Sequence, residues 1–129
     1  MGREAFMHEF SAASQMVNLV LTEAQKRKVK RVLEVRVVIG KLSFLNPEQV
    51  RFAYELLAEG TLLEGSKLQI EEKEALVKCL SCGFEGEIKP EDNPYYHFGI
   101  PVLRCPKCGG EVEIVEGREF TVKSIKVEV

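Results

Sequence analysis

The residues with the clearest chemistry are four cysteines arranged as two C-x-x-C-G units. They are the only cysteines in the chain: Cys79, Cys82, Cys105 and Cys108. Two cysteines three positions apart on a tight turn aim both sulfurs at one centre, and the glycine after each pair permits the positive φ that turns backbone N–H groups toward the sulfurs. Two such units form a closed S4 site, the usual setting of structural Zn2+. We therefore predict one zinc ion at about 2.3 Å from each sulfur.

Two other interpretations of the cysteines stay open at this point. Iron also suits tetrahedral sulfur ligation. A pair of disulfides would require an oxidising compartment, but the chain begins without the long apolar segment of a signal peptide and no apolar run approaches membrane-spanning length. Reduced thiols arranged for a metal therefore predict a cytoplasmic protein that does not enter the membrane.

Composition limits the class of function. The chain has 129 residues, of which 45% are hydrophobic and 29% charged. This is enough for one domain with a hydrophobic core and a small second domain. Eighteen basic and 20 acidic residues give a net charge of −2, so no overall positive field attracts nucleic acid. The sequence has no glycine-rich phosphate loop, no G-x-S-x-G and no cysteine outside the two units. We therefore do not expect an enzyme.

Hydrophobic periodicity predicts an α+β core that the cysteine segment interrupts. The predicted elements, in chain order, are a helix from about His8, a strand at 32–39, a helix capped by Asn46 and stopped before Gly60, a strand near 67–74, and strands at 112–115 and from Phe120. The buried parity of the last strand changes from even to odd residue numbers. This change predicts a β-bulge near Lys123–Ser124.

A second candidate for metal chemistry lies at the start of the first helix, where His8 and Glu9 follow Met7 directly. From these residues onward the sequence resembles the HypA/HybF hydrogenase nickel-incorporation proteins, a family of nickel metallochaperones. The stretches that carry the resemblance are Met7-His8-Glu9 with the helix after it, 35–42, 48–54, Cys79-x-x-Cys82, Cys105-Pro106-Lys107-Cys108-Gly109, 117–120 and 125–128. The M-H-E start combined with this order of elements is much more specific than the cysteine pairs alone.

The resemblance implies two domains and two metals. It implies a nickel-binding α+β domain, residues 1–76 plus 117–129, in which two helices pack on a small three-stranded sheet. A zinc-ribbon domain, residues 77–116, is inserted before the last strand. The implied nickel ligand is His8. Glu9 is expected at the same site, where it orients the site, ligates, or contacts the partner GTPase.

The resemblance also implies the partners of a metallochaperone. They are a HypB-type GTPase and the precursor of a [NiFe]-hydrogenase large subunit, to which Ni2+ is delivered, whereas Zn2+ is structural. The protein itself is expected to be a monomer or a weak dimer, with no nucleic-acid or membrane partner.

The position of the M-H-E motif departs from the family pattern. In the family the motif is the N-terminus, so the α-amine, the next amide nitrogen and the imidazole form fused chelate rings that suit the tetragonal preference of Ni2+. Here six residues precede Met7, and its nitrogen is an ordinary peptide nitrogen. Met7 is therefore expected to ligate nickel only in a chain that begins there. We expect weak nickel binding, or none, at His8 with these six residues present, and tighter binding without them.

The rival interpretation is a zinc-ribbon nucleic-acid or transcription-associated binding module. It predicts exposed basic and aromatic residues on the ribbon. Residues 75–129 carry seven lysines and arginines against nine acidic residues, which argues against it. The second histidine, His97, lies in a proline-bounded aromatic segment, 93–101, and is expected to be an ordinary loop residue, a partner contact or an auxiliary metal ligand.

Overall fold

The fold separates into two units. It was obtained as a computed structural model that describes residues 3–88 and 104–129, with side chains described from His8 onward. The helical unit comprises Met1–Ile39, Leu45–Glu71 and Phe120–Val129. The cysteine unit comprises Gly40–Phe44 and Glu72–Glu119. The sequence predicts a nickel-binding domain of residues 1–76 plus 117–129 and a zinc-ribbon domain of residues 77–116. This division into domains stays a prediction.

Two helices and two three-stranded sheets make up the described structure. The elements in chain order are α1 (Arg3–Lys26), β1 (Arg31–Gly40), a 3₁₀ turn (Lys41–Ser43), α2 (Pro47–Ala58), β2 (Lys67–Lys73), β3 (Ala75–Cys79), β4 (Glu85–Ile88), β5 (Val112–Glu116) and β6 (Phe120–Glu128). The strand orders are β2-β1-β6 and β4-β3-β5. Because β6 returns to pair with β1, the cysteine segment is inserted before the last strand of the first sheet. This confirms the expected α+β fold of two helices, a three-stranded sheet and an inserted ribbon. No helix within 3–88 or 104–129 has the length and apolar character needed to cross a membrane.

Helix α1 begins at Arg3, earlier than the start near His8 that the periodicity predicted. Its buried residues recur every three or four positions, as expected of a helix packed on one side. They are Glu9, Ala13, Met16, Val17, Val20 and Ala24. Phe10 and Leu19, two apolar residues of the same helix, are 38% and 54% exposed. The buried stripe therefore begins with a carboxylate.

Helix α2 begins as the sequence predicted. The side-chain oxygen of Asn46 accepts hydrogen bonds from the backbone N–H groups of Glu48 at 2.9 Å and Gln49 at 3.2 Å. Pro47 occupies the first turn, where its missing N–H costs nothing. The second half of a capping box would place the Gln49 side chain on the Asn46 N–H. That bond does not form, because the Asn46 N–H donates to Glu9 instead.

The pairing of β1 with β6 contains the predicted β-bulge. Arg36 pairs with Ser124, whereas the next residue, Val37, pairs with Val122. Lys123 is therefore the extra residue, and the bulge returns the apolar side chains of β6 to the buried face. The sheet and both helices enclose one core, which includes Val20, Val32, Val35, Val37, Ile39, Val50 and Tyr54.

A five-residue segment from the first third of the chain belongs to the cysteine unit. The backbone N–H of Gly40 donates to the carbonyl of Glu119 at 2.7 Å, and that of Leu42 donates to the carbonyl of Gly117 at 2.7 Å. The approach is close enough that a Cβ on Gly40 would lie 2.1 Å from the Gly117 oxygen. Segment 40–44 therefore pairs with residues 117–119 of the cysteine unit through backbone hydrogen bonds, at a distance that requires glycine at position 40.

Candidate metal centre

Four sulfurs converge in the cysteine unit. The Sγ atoms of Cys79 and Cys108 are 3.5 Å apart, those of Cys82 and Cys105 are 3.6 Å apart, and all four lie within 4.8 Å of one another. A disulfide would need about 2.05 Å, so the four thiols are free. A tetrahedron with metal–sulfur bonds of about 2.3 Å has edges of about 3.8 Å. The sulfurs are therefore spaced for one tetrahedral ion, as the two C-x-x-C-G units predicted.

The first turn places its sulfurs through local hydrogen bonds. Strand β3 ends at Cys79, whose N–H donates to the carbonyl of Phe84 at 2.7 Å and closes the turn. The N–H groups of Ser81 and Cys82 point back at the Cys79 sulfur, each at 3.4 Å. Gly83 has φ of 79°, a value that favours glycine. The predicted reason for a glycine after the pair is thus confirmed here.

The second turn repeats this arrangement. The N–H of Lys107 points at the Cys105 sulfur and that of Gly110 at the Cys108 sulfur, each at 3.4 Å. Gly109, with φ of 73°, donates its N–H to the carbonyl of Cys105 at 2.9 Å. Each turn therefore presents two sulfurs together with backbone donors that stabilise thiolates.

The electrostatics of the site call for a cation. The N–H of Cys82, helped by that of Ser81, lowers the pKa of Cys79 to about 6, so this sulfur is mostly thiolate at neutral pH. The N–H of Gly110 lowers the pKa of Cys108, but the neighbouring Cys79 sulfur and burial outweigh it and raise the pKa to about 12. Four sulfurs this close do not all ionise without a positive partner. A divalent metal ion supplies that partner.

The four protein ligands would leave a tetrahedral ion no open position. Cys79 and Cys105 are buried, and Cys82 and Cys108 lie at the surface. A site closed by four thiolates holds a metal for structural purposes, because a catalytic zinc needs a free position for water or substrate. The arrangement can therefore cross-link the two turns, and it offers no site for hydrolytic chemistry.

The second pair of candidate ligands is arranged differently. His8 is exposed, whereas the neighbouring Glu9 is only 2% exposed, because successive residues leave a helix on different faces. Glu9 accepts a hydrogen bond from the backbone N–H of Asn46 at 3.0 Å through Oε2. Glu9 lies four residues before the buried Ala13 and therefore on the same face of α1. A search for apolar residues alone does not detect a buried glutamate at such a position. The side chain of Met7 and the segment with His97 lie outside the described residues.

Comparison with known proteins gives a consistent result over almost the whole chain. A family model described as hydrogenase/urease nickel incorporation, metallochaperone, HypA, matches residues 7–127. The hydrogenase maturation factor HypA of Methanothermobacter thermautotrophicus is 42% identical over 123 residues, which cover 95% of this chain and 98% of the relative. The factor of the same name from Methanocaldococcus jannaschii is 38% identical over 128 residues, with the same shares covered.

Solved structures support the fold. A solution structure of a HypA protein, 25% identical, aligns with a TM-score of 0.63 over 94% of this chain and 96% of its own. The solution structure of the Ni metallochaperone HypA from Helicobacter pylori, 23% identical, aligns with a TM-score of 0.61 over 93% and 97%. At 23% identity, the similarity to the Helicobacter pylori protein shows the fold alone.

Proposed function

Because the chain belongs to the HypA family of hydrogenase nickel-incorporation metallochaperones, we propose that it binds Ni2+ at the M-H-E segment and helps to insert it into a [NiFe]-hydrogenase precursor. Members of the family are metallochaperones, so the chain is not an enzyme. Nickel is the cargo, and zinc is the resident structural metal. The observation that carries the proposal is that one family match, residues 7–127, spans both His8 and all four cysteines.

The four-cysteine site is assigned to Zn2+. The sulfur spacing suits a tetrahedral ion, and the backbone N–H groups stabilise the thiolates that zinc requires. When bound, zinc supplies a cross-link between the two turns. Iron fits the same spacing, and metal analysis of the purified protein separates the two. One zinc per chain supports the assignment, and one iron per chain contradicts it.

His8 is assigned as the nickel ligand because its imidazole is open to solvent and to a partner. A cargo ion must leave again, so an exposed and incomplete site suits it better than a closed one. The backbone nitrogen of His8 is not available in this structure. His8 is the sixth residue of α1, beyond the first four N–H groups that a helix leaves without a partner, so its N–H belongs to the helical hydrogen-bond ladder.

Nickel affinity is therefore expected to depend on residues 1–6. When residues 1–6 are present, the chain offers nickel the imidazole of His8, but it offers neither an α-amine nor a free backbone amide beside it. A chain that begins at Met7 has an α-amine with a pKa near 8, and its first four N–H groups, those of residues 7–10, lose their helical partners. We expect such a chain to bind Ni2+ at least about tenfold more tightly, as measured by calorimetry on the zinc-loaded protein.

The matched controls are the two histidine variants. His8→Ala is expected to abolish the tight binding of the chain that begins at Met7. His97→Ala, which removes the other histidine, leaves that binding intact if His97 is a loop residue or a partner contact, and weakens it if His97 is an auxiliary metal ligand. Retention of tight binding in His8→Ala overturns the assignment of the nickel ligand. Equal and tight binding by the two chain lengths shows that neither the amine nor the free amide takes part.

The partners proposed for this activity are a HypB-type GTPase and the precursor of a [NiFe]-hydrogenase large subunit. The protein itself is proposed to act in the cytoplasm as a monomer or a weak dimer. A nucleic-acid partner is not favoured, because β4 and β5 expose Glu85, Glu87 and Glu113, which repel phosphates. Pull-down of the GTPase and the precursor, with and without nickel, tests these partners directly.

A further inference from the structure

Glu9 is the one charged residue that is fully buried among the described side chains. It is 2% exposed, and one of its oxygens, Oε1, has no hydrogen-bond partner within the described part of the chain. Burial of a carboxylate is costly unless the charge is compensated. A side chain placed in this way either serves as a ligand or holds another part of the structure in place.

The other oxygen of Glu9 reaches the start of α2. Oε2 accepts the backbone N–H of Asn46 at 3.0 Å. In an ordinary capping box this N–H is taken by a side chain three residues farther along the same helix. Here that residue is Gln49, and its oxygen is buried without a partner within the described residues. Glu9 therefore completes the cap of α2 from a different helix.

The cap of α2 is complete only with Glu9. Pro47 has no N–H to satisfy, and the Asn46 side chain accepts the N–H groups of Glu48 and Gln49. The N–H of Asn46 is the remaining donor, and Glu9 accepts it. The negative carboxylate also lies at the positive end of the α2 dipole, where a negative charge is stabilised.

We propose that Glu9 is a positioning residue. Its hydrogen bond to Asn46 holds the start of α1 against the start of α2, and this contact fixes the position of the neighbouring His8. Its burial keeps it from contact with a partner GTPase, and its hydrogen bond to Asn46 gives it a role that does not require nickel. The inference rests on the proposed function, since His8 is the proposed nickel ligand. Of the three roles expected for Glu9, which were to orient the site, to ligate nickel and to contact the GTPase, it keeps only the first.

The test compares Glu9→Gln with Glu9→Ala in the full, zinc-loaded chain. The glutamine oxygen can accept the Asn46 N–H, and alanine cannot. Hydrogen exchange of the Asn46 amide and broadening of the His8 signals by added NiCl2, both read by NMR, report on the cap and on nickel binding. Glu48→Ala is the matched control, because it removes a carboxylate at the same helix start and leaves the Asn46 N–H in place.

Glu9→Ala is expected to speed exchange at Asn46 by at least about tenfold and to weaken nickel binding at His8 by about three- to tenfold. Glu9→Gln and Glu48→Ala are expected to stay within about twofold of the parent in both measurements. The visible absorption of bound nickel should be the same in all variants, because the ligand atoms do not change.

Three results overturn the proposal. If Glu9→Gln changes the nickel absorption or loses as much affinity as Glu9→Ala, Glu9 is a ligand. If Glu9→Ala leaves both Asn46 exchange and nickel binding unchanged, Glu9 positions nothing. If nickel affects the His8 signals neither in the parent chain nor in a chain that begins at Met7, the proposed function fails as well, and the exchange of Asn46 still shows separately whether the cap exists.

Discussion

The four-cysteine cluster and the His8–Glu9 pair, the two metal sites proposed for this chain, are built in different ways. The four sulfurs are brought within 4.8 Å of one another by two turns whose own backbone aims them inward. His8 and Glu9 are adjacent in sequence, yet one faces solvent and the other is buried against the start of α2. The first site is complete within its unit, and the second offers a single imidazole.

The difference fits the roles that we propose for the two metals. A structural ion must stay, so its ligands are four, closed and held by backbone donors. A cargo ion must be released, so an exposed site with few ligands is suitable. At the proposed nickel site, Glu9, the residue that we propose as its support, is buried in the protein core and accepts the Asn46 N–H. Substitutions in the cysteine unit and at the start of α2 test this contrast.

The largest effect is expected for loss of a buried metal ligand. Cys79→Ser leaves three thiolates, and the metal site of a small ribbon contributes on the order of 10 kcal/mol when the fold depends on it. We expect loss of bound zinc and of hydrogen-exchange protection in β3, β4 and β5, while α1 and β1 stay protected. Ser81→Ala, in the same turn, is the control and should retain zinc, because only its backbone N–H is used. Equal loss of protection in both units would show that the contrast between them is wrong.

A smaller effect is expected from Gly40→Ala. The new Cβ would lie 2.1 Å from the Gly117 carbonyl oxygen, so backbone must move, and we expect destabilisation of about 2–4 kcal/mol with its largest change in the cysteine unit. Gly60→Ala is the comparison, because its φ of 73° costs about 1 kcal/mol but its Cβ meets nothing within 4 Å. Thermal unfolding and hydrogen exchange measure both. A smaller cost at Gly40 than at Gly60 would contradict the close approach of these segments.

The smallest effect is expected from Asn46→Ala, which removes the side-chain half of the α2 cap. Two backbone N–H groups lose their acceptor, and the cost should be about 1 kcal/mol. The Glu9 bond to the backbone of residue 46 stays, so nickel binding should change less than in Glu9→Ala. Glu55→Ala, an exposed change in the same helix, serves as the control in thermal unfolding. A greater loss of nickel affinity in Asn46→Ala than in Glu9→Ala would place the support of His8 elsewhere.

Much of this structure could be predicted from the sequence because its signals are local. The cysteine spacing and the following glycines determine the two turns without help from distant residues, and Asn46-Pro47 starts α2 by itself. The bulge at Lys123 was predicted from the side-chain parity of one strand. These features depend on period and turn chemistry, which a single sequence carries.

The features that escaped prediction depend on distant partners. Glu9 is polar, so a search for apolar residues left it out of the buried stripe, and only its bond to Asn46, 37 positions away, explains its burial. Strand β4 reads Glu85-Gly86-Glu87-Ile88, a weak strand sequence, and exists because it pairs with β3. Segment 40–44 joins the cysteine unit through contacts with Gly117 and Glu119, about 75 residues later in the chain.

X-ray absorption at the zinc and nickel edges of one sample tests the two-site account most directly. The sample is a chain that begins at Met7 and carries one equivalent of each metal. The account predicts four sulfurs at about 2.3 Å around zinc. It predicts only nitrogen and oxygen neighbours around nickel, with imidazole scattering that disappears in His8→Ala. Sulfur neighbours at nickel, or a nickel spectrum unchanged by His8→Ala, would contradict it.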